Sequence, residues 1–529
     1  MVISMTIVPI MIRLAPRIGM VDLPDPRKVH TTPIPRVGGI GIVIGSIVPI
    51  VFWLPFEPVI TSYIFGCLVL LIFGVWDDSC ELGHYVKFIG QFVAVLPAVY
   101  YADLYVATIP LIGDIPEVVG KAFTVIAIVG MINATNHSDG LDGLAGGLSL
   151  LSLACIGYFM YMVGDTAMIF LVVSVMGGVF GFLRFNSHPA KVFMGDGGSQ
   201  FLGFSLGFLV IVLTHKSNPA LSPALPLLIL GLPVVDILAV FYLRISGGMN
   251  WFKATRNHIH HRLLDLGFTH YESVIIIYLV QTLLILCSIL FMYDYDWLIL
   301  SIYFTVVISV FIFLTVLERR GFKLKRADGA SVVDGFINKK LKSKILLRLL
   351  GDYIVFAVAL VFLSISFAVD SVPADIGYLS LGLIILVLLV YIGLKVHLRN
   401  LAKLILFVTA AFVVYLDFLY LHFDNSFNSD LETTVYALMA AAVIMIIKFD
   451  DTVDFSMSPL DYLMAILVVI ALTIFNMAPE NNIYGDYMLK IIILFYGCEL
   501  IEKRNLLGFK AVTVTSLLAL AVLAFRSFA

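Results

Sequence analysis

Five aspartates stand out in a chain with little charge to spare. They are Asp77 and Asp78 in "WDDSCELGHYVK" (76–87), Asp139 and Asp142 in "NATNHSDGLDGLAGG" (133–147), and Asp196 in "RFNSHPAKVFMGDGGS" (184–199). Adjacent carboxylates at a membrane–water boundary repel each other unless a cation or a basic group lies between them. Taken alone, Asp77-Asp78 reads as the solvated end of a helix. The second pair changes that reading. Spaced three apart at a helix start, Asp139 and Asp142 share a face, and Gly140 and Gly143 let a ligand approach the backbone. Asp196 stands ahead of a new helix, and its flanking glycines leave backbone N–H groups free to cradle an anion. Hard oxygen ligands with open positions suit Mg²⁺, which is held by one or two carboxylates together with substrate phosphates. Carboxylates, basic loops and bare helix N-termini together point to phosphoryl chemistry.

The other signal is "HIHH", with His258, His260 and His261 in four residues. Zinc is one reading, but the spacing is not the His-x-x-x-His of a zinc helix and no cysteine accompanies it. A pH sensor is a second. Contacts from imidazoles to phosphate are the third, and Arg244, Lys253, Arg256 and Arg262 nearby favour it, since arginine suits phosphate recognition.

Residues of this kind need elements to hold them. The 529 residues are 61% hydrophobic and 13% charged, about half of the roughly 25% charged residues of a soluble domain. Apolar runs near twenty residues recur from end to end, the length that crosses a bilayer core as a helix. This predicts an all-α fold: a polytopic helical membrane protein whose solvent is mostly the lipid bilayer. Spans are expected near 1–15, 38–55, 60–76, 86–102, 118–135, 143–163, 167–184, 199–214, 222–243, 272–293 and 297–317. Seven more follow, near 351–369, 377–394, 403–421, 433–448, 459–477, 486–500 and 510–526. The five cysteines are scattered, mostly in apolar runs, and read as small core residues rather than disulfides or ligands. The net charge of −3 identifies no partner, and no nucleic acid is expected.

Charge orients the spans. Arg13, Arg17, Arg27, Lys28 and Arg36 lie in the first connection, Lys87 in the third, Arg184 and Lys191 in the seventh, and Arg244 to Arg262 in the ninth. A basic cluster from Arg319 to Arg326 follows the eleventh span, whereas the even-numbered loops offer only Lys121 and Lys216. The positive-inside rule therefore makes the odd-numbered connections cytoplasmic. All the polar motifs fall in those connections and look like one site built from loops. The opening segment "MVISMTIVPIMIRLAPR" has neither a basic region before its apolar run nor a small-residue cleavage site after it, unlike a secretory signal. Its uncharged run spans about 18 Å of helix against a core of about 30 Å, so a start upstream of Met1 is expected.

With the motifs in place, residues 1 to about 320 resemble the polyprenyl-phosphate N-acetylhexosamine-1-phosphate transferase family, glycosyltransferase family 4. The matching stretches are "RKVHTTPIPRVGG", the Asp77-Asp78 pair, "NATNHSDGLDGLAGG", "NSHPAKVFMGDGGSQFLG" and "HIHHRLLDLGF", in family order. The last is similar to the bacterial undecaprenyl-phosphate GlcNAc-1-phosphate transferase branch; the muramyl-pentapeptide translocase branch carries consecutive histidines there. The resemblance implies transfer of an N-acetylhexosamine-1-phosphate, GlcNAc-1-phosphate first, from a UDP-sugar to undecaprenyl or another polyprenyl phosphate. UMP is released, and the product is the lipid-linked first sugar of a cell-envelope polysaccharide, made on the cytoplasmic face of the cell membrane.

It also implies roles. Asp77 matches the aspartate that deprotonates or positions the lipid phosphate, with Asp78 its partner. Asp196 resembles the principal ligand of Mg²⁺ (or Mn²⁺), with Asp139 and Asp77 beside it, and Asp142 completes the carboxylates near metal and nucleotide. Gly140, Leu141, Asn186 and Phe193 correspond to the uracil pocket, Phe193 as a stacking face. Asn133, Asn136, Lys28, Arg36, Arg244 and Arg256 fall on substrate-binding positions, and His258, His260 and His261 on the histidine motif that contacts phosphates or donor. Family members often carry Asp-Arg two residues before that motif, where this chain has Thr255-Arg256. A scaffold or lipid-linked sugar transporter on the same architecture is the alternative, but a scaffold has no use for clustered carboxylates.

The resemblance ends near Phe322. The expected organisation is a transferase domain over 1–326, a basic cytoplasmic linker over 327–350 and a multi-span domain over 351–529. That last domain is read as an accessory module for packing or partner binding; a second activity, such as a lipid-linked sugar exporter or polymerase component, is the other reading. "KFDDTVDF" (448–455) echoes the aspartate pair but lacks glycine and histidine companions, and reads as a solvated loop. A second copy of the chain and downstream glycosyltransferases are the candidate protein partners.

Overall fold

Helices form wherever an apolar run must satisfy its backbone within itself, since lipid offers no hydrogen-bond partner. In the computed structural model, ten helices are long and apolar enough to cross a membrane, and four shorter apolar ones accompany them among the described residues. The protein is an all-α, multi-pass membrane protein. The structure describes residues 1–24, 32–80, 82–246, 248, 258–324, 344–393, 398–421, 426–449, 461–467, 470, 482–503 and 507–528. The chain divides into two compact units, Met1–Arg326 with Met457–Ile470, and Ala327–Ser456 with Ala471–Ala529.

The first unit opens with α1 (Val2–Leu14), α2 (Gly38–Trp53), α3 (Pro58–Cys80) and α4 (His84–Tyr100). Then come α5 (Glu117–Ser138), α6 (Leu144–Met162), α7 (Thr166–Asn186) and α8 (Gly195–Val212). It closes with α9 (Leu225–Ile229), α10 (Gly231–Ser246), α11 (Ile259–Asp265), α12 (His270–Leu290) and α13 (Asp296–Arg319). Two short antiparallel strand pairs lie in its connections, Val21–Asp22 with Ile34–Pro35 and Thr108–Ile109 with Gly113–Asp114. The central helix is α8. Every residue from Gly197 to Val212 is buried, and Phe201, Phe204 and Phe208 fill the space between it and its neighbours. α2, α3 and α5 all pack against it.

These contacts are close because glycines make them so. A Cβ at Gly74 of α3 would overlap the Cα of Gly197, and one at Gly39 of α2 would overlap the backbone of Gly198. Small residues let membrane helices approach backbone to backbone, where dispersion replaces the missing hydrophobic drive. α2 and α3 are thereby pinned at the first turn of α8.

Three boundaries differ from the sequence expectation. α3 runs to Cys80, so Asp77 and Asp78 sit in its last turn instead of beyond it. α8 starts at Gly195, which puts Asp196 inside the helix, because its first N–H groups find an acceptor described below. The span expected at 222–243 is broken between Ile229 and Gly231. Pro233 has no N–H to give the carbonyl of Ile229. That carbonyl accepts instead from Ser152 Oγ and Gln281 Nε2, both at 2.7 Å, and Gln281 Oε1 takes the N–H of Leu232 at 3.3 Å. At the other end of the unit, Thr269 and Glu272 form a capping box that starts α12 at His270.

The second unit is a bundle of Lys344–Ala368, Ala374–Gly393, Leu398–Leu416, Ser426–Phe449, Asn482–Lys503 and Leu507–Phe528. Phe362, Leu406, Met439, Cys498 and Leu523 lie in its core. Lys490 Nζ joins the buried Asp417 and the half-buried Glu432, at 3.0 and 2.6 Å. The first helix begins inside the segment expected as linker; residues 327–343 lie outside the described ones, as do 450–455 of "KFDDTVDF" and most of the span expected at 459–477.

Replacing Gly74 by Val forces α3 away from α8. Overpacking of this kind costs typically about 1–3 kcal/mol. Gly74→Val is therefore expected to lower the thermal unfolding midpoint in detergent, whereas Gly130→Val, at a position with open space around it, leaves the midpoint in place.

Candidate active site

The site grows from the start of α8. Nothing local caps that helix, since Met194 at its N-cap makes no side-chain hydrogen bond to it. Asp78 acts from the end of α3 instead. Its Oδ1 accepts from the N–H of Asp196 at 3.1 Å and its Oδ2 from the N–H of Gly197 at 3.4 Å. These are two of the donors that a helix leaves unsatisfied at its N-terminus. Gly195, at φ +72°, turns the chain into the helix where a side chain would meet Asp78.

The side chain of Asp196 is held from a third direction. Lys87, in the first turn of α4, places Nζ 2.8 Å from Asp196 Oδ2 and 2.6 Å from Asp77 Oδ2. The other oxygen of Asp77 accepts from the N–H of Leu82 at 2.7 Å. Asp77 therefore turns to Lys87 and the α3–α4 turn. Lys87 is thus the basic group between Asp77 and Asp196, a residue that the sequence marks only as a loop charge. Asn136 of α5 donates to Ser199 of α8 at 3.0 Å, closing the arrangement on the far side.

Between α5 and α6 the "SDGLDGL" stretch forms a tight knot. Gly143 is left-handed, with φ +80°. Its N–H donates to Asn186 Oδ1 at 2.8 Å, its carbonyl accepts from Tyr278 Oη at 2.7 Å, and Asn186 Nδ2 donates to the carbonyl of Val192 at 2.9 Å. The buried Asn186 is thus committed to backbone and fixes the loop after α7 against the knot. Removal from solvent, followed by the charges of Asp196 and Asp142, pushes the Asp139 carboxyl up to about 7. Asp142 Oδ2 accepts from His188 Nδ1 at 2.6 Å and from the N–H of Ala190 at 3.0 Å.

The histidine motif divides by depth. His258 is buried, with Nδ1 2.8 Å from Asp236 Oδ2, and the N–H of Ile259 donates to Asp236 Oδ1 at 2.9 Å. Asp236 of α10 thereby caps α11 and orients His258, a partnership across 22 positions that no local pattern signals. His260 packs on Gly140, where a Cβ would overlap its ring. Burial, then the neighbouring charge of His261, holds the His260 imidazole down at about 3. Arg262 is spent on Glu318 of α13, through Nε at 2.7 Å and Nη2 at 2.8 Å.

These parts enclose a cavity of about 580 Å³. Asp78, Asp139, Asp142 and Asp196 line it, with Asn136, Gly140, Leu141, Asn186, Phe193, Arg36 and His261. Arg36 is paired with Asp22 on the cavity wall. His188 and His270 also line it, and neither was singled out from sequence. Asp77, His258 and His260 stand behind the wall. Asn133 is deeper still, joined to Gln91 at 2.8 Å. Arg244 is buried with its guanidinium 5.7 Å from the ring of Phe241. Lys28 and Arg256 lie outside the described residues. Asp139 and Asp196 bring carboxylate oxygens, the donor type that suits a hard divalent cation, to the cavity, and Asp142 adds a third carboxylate that is already engaged by His188 and Ala190.

Comparisons with known proteins bear on this geometry. Residues 60–214 match the family model described as glycosyl transferase family 4. A Bacillus subtilis (strain 168) protein named probable undecaprenyl-phosphate N-acetylglucosaminyl 1-phosphate transferase is 35% identical over 306 residues, covering 57% of this chain and 86% of the relative. The Escherichia coli (strain K12) undecaprenyl-phosphate alpha-N-acetylglucosaminyl 1-phosphate transferase is 29% identical over 326 residues, 60% of this chain and 86% of the relative. The Salmonella typhimurium protein of the same name is 30% identical over 282 residues, 51% of this chain and 76% of the relative.

The buried His260 makes a pH prediction. Its folded-state value of about 3 lies below the ordinary 6.5, so the unfolded chain takes up a proton first. The associated stability is present above pH 6.5 and is lost as pH falls toward 3. Thermal midpoints measured across that window should fall less steeply with acid in His260→Gln than in the unaltered protein.

Proposed function

The chain belongs to glycosyl transferase family 4, and from that premise we propose that it moves an N-acetylhexosamine-1-phosphate, GlcNAc-1-phosphate first, from a UDP-sugar to undecaprenyl phosphate. The reaction forms a bond between an acceptor phosphate oxygen and the donor β-phosphorus. It breaks the bond from that phosphorus to the bridging oxygen, and UMP leaves with the electron pair. The observation that carries this reading is one cavity wall that brings Asp78 and Asp196, at the first turn of α8, together with Asp139 and Asp142 of the α5–α6 knot, with Arg36 on the wall and Lys87 on Asp196. A site that manages several phosphates needs both charges concentrated at a bilayer edge.

Each residue then has a physical task. Asp78 fixes the first turn of α8 and hence the backbone of Asp196. Lys87 sets the direction of the Asp196 carboxylate, and Asp77 acts through Lys87 by holding its ammonium in place. Asp196 and Asp139 would hold Mg²⁺, which supplies positive charge against the repulsion of two phosphates and the charge on departing UMP. Phe193 and Leu141 offer the apolar faces that suit a base. Arg36, paired with Asp22, adds a positive charge on the same side of the cavity. The acceptor's long tail stays in hydrocarbon while its phosphate meets the donor at the bundle end, and the loop charges support a cytoplasmic face for it. The product is the lipid-linked first sugar of an envelope polysaccharide.

Purified protein supplied with undecaprenyl phosphate, Mg²⁺ and UDP-GlcNAc is expected to release UMP, with chelation abolishing release. UDP-GalNAc in a parallel reaction reports the sugar preference. Asp196→Asn should lower kcat at least about a hundredfold, the scale of losing one preorganised electrostatic group. Near-normal UMP release by that variant at saturating Mg²⁺ would remove Asp196 from the machinery.

A further inference from the structure

Asp142, His188 and His270 form a cluster on the cavity wall that the reaction outlined above does not use. One ligand atom from each lies within 4.8 Å of the others. A metal is the first thought, and the geometry argues against it. The rings of His188 and His270 are stacked at 4.1 Å between centroids and 19° between planes. An ion sits in the plane of each imidazole that binds it, and two nearly parallel stacked rings share no such point at bonding distance. The carboxylate is also occupied, since Asp142 Oδ2 already accepts from His188 Nδ1 and from the N–H of Ala190.

The same contacts describe a well-oriented imidazole. Asp142 takes the hydrogen on Nδ1, so the neutral ring keeps its lone pair on Nε2, the tautomer logic of any carboxylate–histidine pair. Behind the ring lies His270, whose Nε2 is 3.3 Å from the carbonyl of Asp142. At its edge stands Tyr271, perpendicular at 88°, whose hydroxyl donates to the carbonyl of His188 at 3.2 Å. Three side-chain contacts from two segments, Asp142 and the His270-Tyr271 pair, thus hold a ring that is about a third exposed. Nε2 has no protein partner among the described residues.

The position of this ring indicates what it meets. Leu141, Pro189 and Ala190 adjoin it on the wall, whereas the charged groups Asp78, Asp196 and Arg36 come from the α8 side. Apolar surface with one directional acceptor suits a nucleobase or its ribose, and the charged side suits phosphates. We propose that His188, oriented by Asp142 and stacked on His270, recognises the nucleoside half of the UDP-sugar by accepting a hydrogen bond at Nε2. This rests on the transferase reading. Asp142 and His270 are then positioning residues that act through His188, and Asp142 is withdrawn from the metal.

UMP carries the nucleoside half alone, so its binding to the full-length protein, measured by calorimetry in detergent, isolates the contact. His188→Phe keeps the ring and its stack but lacks Nε2, and should weaken UMP binding about three- to tenfold, the worth of one hydrogen bond. The KM for UDP-GlcNAc should rise in parallel with little change in kcat. His270→Ala should reproduce the loss in UMP affinity, and His270→Phe should restore it. If His188→Phe does not fold, His188→Leu, which also lacks an acceptor and is judged by an unchanged thermal midpoint, takes its place. An unchanged UMP affinity in the folded variant overturns the proposal, and so does a raised donor KM with unaltered UMP binding, which would move His188 to the sugar half. Wild-type protein that binds UMP but releases none from UDP-sugars would sink the transferase reading alone.

Discussion

A carboxylate at the end of one membrane helix holds the start of another, and the site is organised around that contact. Asp78 satisfies the N–H groups of Asp196 and Gly197, where the sequence "MGDGGS" provides no cap of its own. Glycines at 39, 74, 197 and 198 bring α2, α3 and α8 to backbone contact at the same level. Close approach and capping reinforce each other. Without the glycines, Asp78 would stand too far away; without Asp78, the buried first turn would carry unsatisfied donors in a medium that supplies none. Asp196 inherits its position from this junction, and Lys87 reaches it from α4.

Electrostatics then follows from distance. Asp77 and Asp196 share the ammonium of Lys87, whereas the Asp139 carboxyl, in the knot between α5 and α6, is raised to about 7 by burial and then by the charges of Asp196 and Asp142. One side of the cavity is therefore compensated by the protein and the other is left for what binds. The histidines follow the same division. His258 and His260 are buried and shape the wall from behind, while His261, His188 and His270 reach the cavity.

Much of this was legible in the sequence, for identifiable reasons. Apolar runs mark the spans because hydrocarbon demands them, and loop charges mark the connections that carry polar motifs. The aspartates, the glycines and the "HIHH" stretch announce themselves as costly residues in an apolar chain. What escaped depends on contacts across many residues. Asp78 reads as a helix end from its neighbours, yet its partners lie 118 and 119 positions away. Lys87 looked like an ordinary loop charge because only the fold brings it 109 positions across to Asp196. His188 sat inside a quoted motif and was passed over, since nothing local announces Asp142 as its partner. The break before Pro233 was the one miss that local chemistry signals, as a proline inside an apolar run frees a carbonyl that something else must satisfy.

The central claim is that Asp78 holds the first turn of α8 and that the donor site depends on it. Hydrogen–deuterium exchange of peptides covering residues 194–200, compared between the unaltered protein and Asp78→Ala with and without UDP-sugar, tests it most directly. The account predicts that the amides of Asp196 and Gly197 lose protection in the variant while the rest of α8 keeps it, and that UDP-sugar no longer slows their exchange. Unchanged protection at those two amides, or full protection by UDP-sugar in the variant, would contradict it.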